Sequence, residues 1–293
     1  MKKNDNIICA VSAGYTSVMM AIKMKEWYPN CNIVNVFVNP SKEDVRSINF
    51  IEQCDHYYKL NMVYLEAVIN HDKGIGTGYS VRDINNPDGL HINGEIFEQG
   101  IRKYGIPSRV NKWCTRELKL IPLEKYGNYL FGINNWSLAL GIRTDEIDRV
   151  SENYKTNNIF YPPFENGVDS RLRNKFWSEQ PIQLKLKAYE GNCDLCFEKS
   201  KRKRMTIAVE KPNKLIWWDK MEKKYSLVPI EGKEQYNKMV LNGGAFFGRL
   251  NESIQDLIED AKKPFSKATD EYIYENDLFD YEDECGKSCS IDY

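Results

Sequence analysis

The stretch IICAVSAGYTSVMMAIKMKEWY, residues 7–28, decides the fold. Five apolar residues, Ile7 to Val11, read as a buried strand, the small polar run SAGYTS (12–17) as a turn, and the apolar spacing from Val18 onward as a helix. The pattern then repeats. IVNVFVN (33–39) reads as a second buried strand, NPSKEDVRSINFIEQC (39–54) as a loop feeding a capped helix, and MVYLEAV (62–68) as a third strand. NNWSLALGIR (134–143) adds a further buried strand, and INGEIFEQGIRKYG and Trp113–Tyr126 read as helices. Strands alternating with helices predict an α/β fold, a Rossmann-like parallel sheet with helices on both faces. The segment HDKGIGTGYSVRDINNPDGLHIN (71–93) is rich in Gly, Asn and Asp and is expected to be a long loop. After about Asn153 the composition shifts to loops, a basic helix and an acidic aromatic tail. The expected organisation is therefore a nucleotide-binding unit, 1–153, with a C-terminal region, 154–293, packed on it. No internal repeat is visible.

With 293 residues, 42% of them hydrophobic and 28% charged, the chain can bury one large core or two small ones. A formal net charge of -1 leaves any attraction for nucleic acid or anionic lipid to local patches. No apolar run approaches a membrane span, and MKKNDNIICAV has neither the apolar region nor the cleavage site of a signal peptide, so the expectation is a cytoplasmic protein without a membrane partner. Eight cysteines are too sparse for a disulfide scaffold, and their clustering carries the information.

SAGYTS lies between a strand and a helix, where small residues let backbone N–H groups approach a phosphate at a helix N-terminus. Ser12, Gly14, Thr16 and Ser17 are the candidates there, a plain packing turn being the alternative. In open parallel sheets ligands bind beyond the carboxyl ends of the strands, so this loop should converge with NPSKED, which begins at Asn39, and with GIRTDEIDR (141–149). The last loop offers Arg143 and Arg149 as anion-matching forks and Asp145 for a ribose hydroxyl, a metal or an arginine. An internally paired charge cluster is the competing reading.

From SAGYTSVMM through FVNPSKED, KWCTRELKLIPLEKY, GIRTDEIDR and GNCDLCFEKSKRKR to ECGKSC, the chain resembles the phosphoadenosine phosphosulfate (PAPS) reductase-like group of adenine-nucleotide α-hydrolase-like proteins. The resemblance implies an adenine nucleotide (PAPS, APS or ATP) held at Ser12–Ser17, where Ala13 replaces a usual glycine and Thr16 an aspartate common in ATP-cleaving members. Both departures favour an adenylyl-sulfate type of nucleotide over ATP cleavage. WCTRELKLIPL is similar to the C-C-x-x-R-K-x-x-P-L segment of adenylylsulfate reductases, with Thr115 in place of the second cysteine. The resemblance therefore implies a 4Fe–4S cluster with Cys114, Cys193 and Cys196 as ligands; Cys289 is the candidate for the missing fourth, the competing assignment giving that place to Cys285 and leaving no nucleophile. It also implies Cys285, in ECGKSC, as the nucleophile that attacks the sulfur of the nucleotide, with a thiol as electron donor. Structural zinc, a redox dithiol and plain thiol packing are the other readings of the C-x-x-C. For Cys9, Cys31 and Cys54, in or beside apolar elements, packing is expected.

The basic run Lys199, Lys201, Arg202, Lys203, Arg204 has three readings: a solvated face, a nucleic-acid contact, or an internal dock for the acidic tail from Asp270 to Glu284. Three functions follow. They are sulfonucleotide reduction or sulfur transfer with an iron–sulfur centre, ATP-dependent thiolation of tRNA or DNA read through the basic helix, and nucleotide binding with structural zinc.

Overall fold

The computed structural model describes residues 4–85, 89–150, 158–191, 193–248 and 250–270. Cys285, Cys289, Asn153 and the acidic tail beyond Asp270 lie outside the described residues. The chain is mixed α/β. Strand β1 (Asn6–Val11), helix α1 (Tyr15–Trp27), β2 (Asn32–Asn39), α2 (Val45–Tyr58) and β3 (Val63–Val68) follow the expected alternation. After β4 (Gly78–Arg82) and α3 (Glu95–Tyr104) come a π-helical turn (Arg116–Leu120), α4 (Ile121–Phe131), β5 (Ser137–Ala139) and β6 (Ile159–Phe160). The six strands lie in the order β4-β3-β2-β1-β5-β6, all parallel except β4, which runs antiparallel to β3.

The two faces follow from strand alternation. Ile7, Cys9 and Val11 of β1 pack with Val18, Met20 and Met24 of α1 and Ile48 and Ile51 of α2. Ile8, with Val36 and Val38 of β2, meets Leu123 and Tyr126 of α4 on the other side. Both faces of the central strands are dry, which is why they read as unbroken apolar runs. Cys9 and Cys54 are buried as expected for packing residues, and burial pushes the Cys54 thiol up to about 12.

Two elements differ from the sequence reading. The segment expected to be one long loop contains β4, GYSVR, an edge strand whose side chains are mostly half-exposed, so no apolar run marks it. The sheet also continues past residue 153. β6 pairs with β5, and the short α5 (Pro162–Glu165) and then α6 (Ser170–Ser178) follow it. From α6 the buried Trp177 enters the same core as Cys9 and Phe50 and stacks on Tyr15 at 4.8 Å. The change of composition thus falls inside the α/β packing unit.

Helices α7 (Lys201–Glu210), α8 (Leu215–Tyr225), α9 (Glu234–Leu241) and α10 (Ile254–Ala261) form the C-terminal part. Their core, including Ile207, Trp218, Met221, Val240 and Leu257, is continuous with Ile96, Phe97 and Ile101 of α3 and with Trp113 and Leu118. No helix among the described residues is long and apolar enough to cross a membrane.

The loop between β2 and α2 joins the two parts. Ser41 Oγ accepts from the Ile96 and Phe97 N–H groups at 3.1 Å and so caps α3. Lys42 pairs with Asp194 at 3.1 Å, Glu43 with Lys119 at 2.9 Å, and Asp44, the N-cap of α2, with Lys214. Arg46 forks onto Asp44 (2.9 and 2.8 Å) and onto Glu190 (3.0 and 2.9 Å), and Lys211 also reaches Glu190. The residues expected to line a ligand crevice here are mostly spent on this joint. A groove of about 380 Å³ remains beside it, lined by Lys42, Arg46, Lys211 and Lys214 among others.

Burial alone would raise both buried carboxyls of the joint, but hydrogen bonds from Arg46 and Lys214 hold Asp44 well below its usual range. Those from Arg46 and Lys211 bring Glu190 down to about 2. Depressed carboxyl values mean that the joint stabilises fully above the unfolded values near pH 4 and loses that contribution as pH falls toward about 2. Arg46→Met should lower stability at pH 7 by about 2–3 kcal/mol, below the usual cost of orphaning a buried charge because Lys211 and Lys214 remain. Denaturant melts at pH 7 and pH 3 check this: the gap between wild type and variant should narrow at the lower pH.

Candidate functional site

β1 is flanked by β2 on one side and β5 on the other, so the strand order reverses here, and the loops after β1 and β5 lie at the switch point where open parallel sheets bind ligands. The first loop is Ser12–Gly14. Ser12 N–H donates to Ser17 Oγ at 3.0 Å, the two hydroxyls lie 3.1 Å apart, and Ser17 Oγ–H reaches Gly14 O at 3.1 Å. The serines therefore shape the turn. Helix α1 starts at Gly14 with no side-chain cap and no acidic residue in its first turn, leaving its N-terminal partial charge uncompensated by its own side chains. Ala13 sits in the left-handed region, φ 51°, where a glycine would be relaxed.

The β5 loop comes very close. A Cβ on Gly141 would stand 3.0 Å from Ser17 Cα and 3.2 Å from its N, so a side chain there would push on the backbone at the start of α1. Two residues on, Arg143 crosses the crevice and donates from Nη1 to Thr16 Oγ1 at 3.1 Å. Thr16 is thus an acceptor for an arginine. Arg143 is buried, with Asp145 at 2.9 Å from Nε and Glu146 at 3.3 Å from Nη1, while Arg149 pairs with Glu146. The structure brings Ser12, Gly14, Thr16, Ser17, Arg143, Asp145 and Arg149 to one end of the sheet, and it pairs the arginines with carboxylates of their own turn. Glu146, which the sequence reading passed over, is the carboxylate shared by both.

Asn39 is different. Its amide donates to Glu66 Oε1 and His91 O, both at 2.6 Å, and its carbonyl accepts from Ser41 N–H at 3.0 Å. With Glu66 also held by Arg82 and His91, Asn39 serves a buried polar network at the end of β2.

The cysteines form a second centre. Cys114 and Cys193 pack against the same apolar cluster, and Cys193 lies in the electrostatic field of Glu43, Lys119, Cys114 and Asp194. Burial first, then the neighbouring carboxylate, pushes the Cys193 thiol well above its ordinary range. The turn is tightly pinned. Cys196 N–H donates to Cys193 O at 3.3 Å, Lys199 Nζ donates to the same carbonyl at 2.9 Å, and Asp194 accepts from Trp218 Nε1 at 2.7 Å. Cys114 itself precedes the π-helical turn, a local widening that often marks functional segments. Among the described residues no three His, Cys, Asp or Glu side chains are gathered to hold a metal ion. Cys114 and Cys193 share the packing of one apolar cluster, and Cys196 closes the turn that begins at Cys193.

The basic run is divided between buried and exposed positions, Lys201 being exposed. Lys199 and Arg204 are buried, Lys201 binds Glu252 at 2.6 Å and Asp260 at 2.5 Å, and Arg202 and Lys203 also have partners. Ala268 N–H donates to Thr206 Oγ1 at 2.9 Å and Asp270 Oδ1 accepts from Ala188 N–H at 2.9 Å, so the chain runs along α7 as it enters the acidic tail.

Two substitutions test the loop geometry. Ala13→Gly should leave the fold intact and raise stability by about 0.5–1 kcal/mol, because it relieves a left-handed alanine. Gly141→Ala should cost about 1–3 kcal/mol, since the methyl meets backbone rather than a flexible side chain. Thermal melts of the two variants, with opposite signs, are the measurement.

No protein-family model and no solved structure matches the chain. Over 171 residues it is 28% identical to the uncharacterized nin region protein ORF290 of Escherichia phage lambda, a match that covers 57% of each protein.

Proposed function

We propose that the chain is an adenine-nucleotide-binding enzyme of the PAPS reductase-like type, within the adenine-nucleotide α-hydrolase-like superfamily, working on the sulfur of a sulfonucleotide. The observation that carries the reading is the meeting of the β1 and β5 loops, where Gly141 abuts Ser17 and Arg143 reaches Thr16 beside an uncapped helix start. A phosphate or sulfate placed there faces helix N–H groups and a guanidinium fork. Threonine in the aspartate position, already engaged by Arg143, speaks against magnesium-assisted ATP cleavage at this point. In the chemistry that the resemblance implies, the Cys285 thiolate attacks the sulfonucleotide sulfur, the sulfur–oxygen bond to phosphate breaks, and the nucleotide leaves with that electron pair. A thiol donor then attacks the cysteine sulfur, sulfite leaves with the electron pair of the sulfur–sulfur bond, and a second thiol of the donor reduces the mixed disulfide and frees the cysteine.

The resemblance also implies a thiophilic group, iron–sulfur or zinc, with Cys114, Cys193 and Cys196 among its ligands. The described residues do not fit it, since no three potential ligands are gathered there. ATP-dependent thiolation of nucleic acid is the alternative; of the basic run it relies on, Lys201 is paired with Asp260 and Glu252 and Lys199 with the Cys193 carbonyl.

Calorimetry with an adenylyl sulfate should show binding that Arg143→Ala weakens by about 10- to 100-fold, the worth of a shielded charge-assisted contact. Equal affinity for wild type and variant removes the crevice from the site. Protein purified without oxygen should carry iron and sulfide that Cys114→Ser, Cys193→Ser and Cys196→Ser each lose. Stoichiometric zinc without labile sulfide would instead favour the structural-metal alternative.

A further inference from the structure

His91 is the half-exposed member of an otherwise buried polar network at the carboxyl ends of β2 and β3. Its ring Nδ1 lies 2.7 Å from Glu66 Oε2, and 41% of the His91 side chain is exposed against 1% of Glu66. Three further donors converge on the same carboxyl group: the His91 N–H at 2.8 Å, the Asn39 amide at 2.6 Å and Arg82 Nε at 3.3 Å. A carboxyl group surrounded by donors is an ionised acceptor, so the hydrogen between Glu66 and His91 belongs to Nδ1. The neutral imidazole then carries its lone pair on Nε2, an atom that no hydrogen bond engages among the described residues.

The ring contact is not needed to hold the loop. His91 is already fixed through its backbone, its N–H donating to Glu66 and its carbonyl accepting from Asn39 at 2.6 Å, while Arg82 donates to Gly89 O at 3.0 and 2.7 Å. What the buried carboxylate adds is orientation: it sets the tautomer and aims the ring, as the third group of a nucleophile–base arrangement does. The position suits a ligand. Val11, the last residue of β1, pairs with Phe37, and Asn39 pairs with Glu66. The dyad therefore stands two strands from the Ser12–Gly14 loop, about 10 Å across the sheet, at the end where open parallel sheets take their ligands.

We infer that Glu66 and His91 form a proton-accepting dyad, in which His91 Nε2 takes the proton of a hydroxyl, thiol or water on a ligand bound at this end of the sheet and Glu66 is the positioning residue. The O–H or S–H bond breaks, its electron pair stays on the oxygen or sulfur, and an N–H bond forms at Nε2. The Glu66 carboxylate stabilises the imidazolium, which returns its proton to the product or to solvent. In the reaction proposed above, the donor thiol is the group that must lose a proton. That assignment rests on the sulfonucleotide reading, whereas the dyad stands on the contacts of Glu66 and His91.

The test uses the full chain and diethyl pyrocarbonate, an electrophile attacked by neutral imidazole nitrogen. His56 and His71, the other two histidines, are both exposed and serve as internal references. At about pH 8, where imidazoles are neutral, peptide mass spectrometry should show His91 modified faster than either despite its lower exposure. Nitrogen NMR of the wild type should show the single Nδ1–H tautomer. Glu66→Gln should turn it into a mixture and slow the modification about 10-fold, which a purely structural contact would not do. In thiol-dependent release of sulfite from an adenylyl sulfate, His91→Gln should lower kcat by about 10²–10⁴-fold with KM little changed, and free imidazole should restore part of the loss. If Glu66→Gln does not fold, the wild-type spectrum and the three modification rates carry the test. An Nε2–H tautomer, a His91 no more reactive than His56 and His71, or an unchanged kcat in His91→Gln overturns the inference. A wild-type chain that releases no sulfite overturns the sulfonucleotide reading instead, and the tautomer and modification rates still decide the dyad.

Discussion

The double fork of Arg46, onto Asp44 on one side and Glu190 on the other, is the contact on which the relation between the two parts of the chain depends. Asp44 starts α2, so the guanidinium is fixed to the sheet. Glu190 immediately precedes the turn that carries Cys193, so the same guanidinium fixes that turn. Both carboxylates are almost fully buried and would be costly to leave alone, whereas the cations around them keep part of their surface in water. The layering gives the joint its direction: anions inside, cations outside. Lys42, Glu43 and Ser41 extend it to Asp194, Lys119 and α3, and a backbone bridge from Glu43 to Cys193 sets the start of the cysteine turn.

The central sheet was legible because its strands are apolar on both faces, and a dry strand writes its own signal in five or six residues. β4 was not, because an edge strand with half-exposed side chains needs only backbone pairing, and GYSVR sits among glycines and asparagines that speak for a loop. β6 was hidden by length, two residues between a charged turn and a proline pair. At the candidate site, the small-residue loop and the two arginines could be found from their positions after strands. What could not be read is how they are spent. NPSKED is a ligand loop by position and a structural joint by contact, and nothing in the order of its charges tells which carboxylate of a distant segment will meet them. Gly141 went unremarked because a glycine at a strand end is ordinary until its neighbour is known to stand 3.0 Å away.

The two centres solve opposite electrostatic problems. At the crevice, Arg143 and Arg149 are matched by Asp145 and Glu146, so the resting site is close to neutral. An anion that docks against Arg143 must share it with Asp145, and it gains only where the helix N–H groups and the guanidinium converge better than that carboxylate does. Such a site discriminates by geometry, because mere negative charge finds the arginine already paired. In the C-terminal core the balance is reversed, since Arg204 is a buried cation whose guanidinium N–H groups lack a hydrogen-bond partner among the described residues. A turn whose charges are already matched offers an anion shape rather than charge, whereas an uncompensated interior cation asks its neighbours for charge.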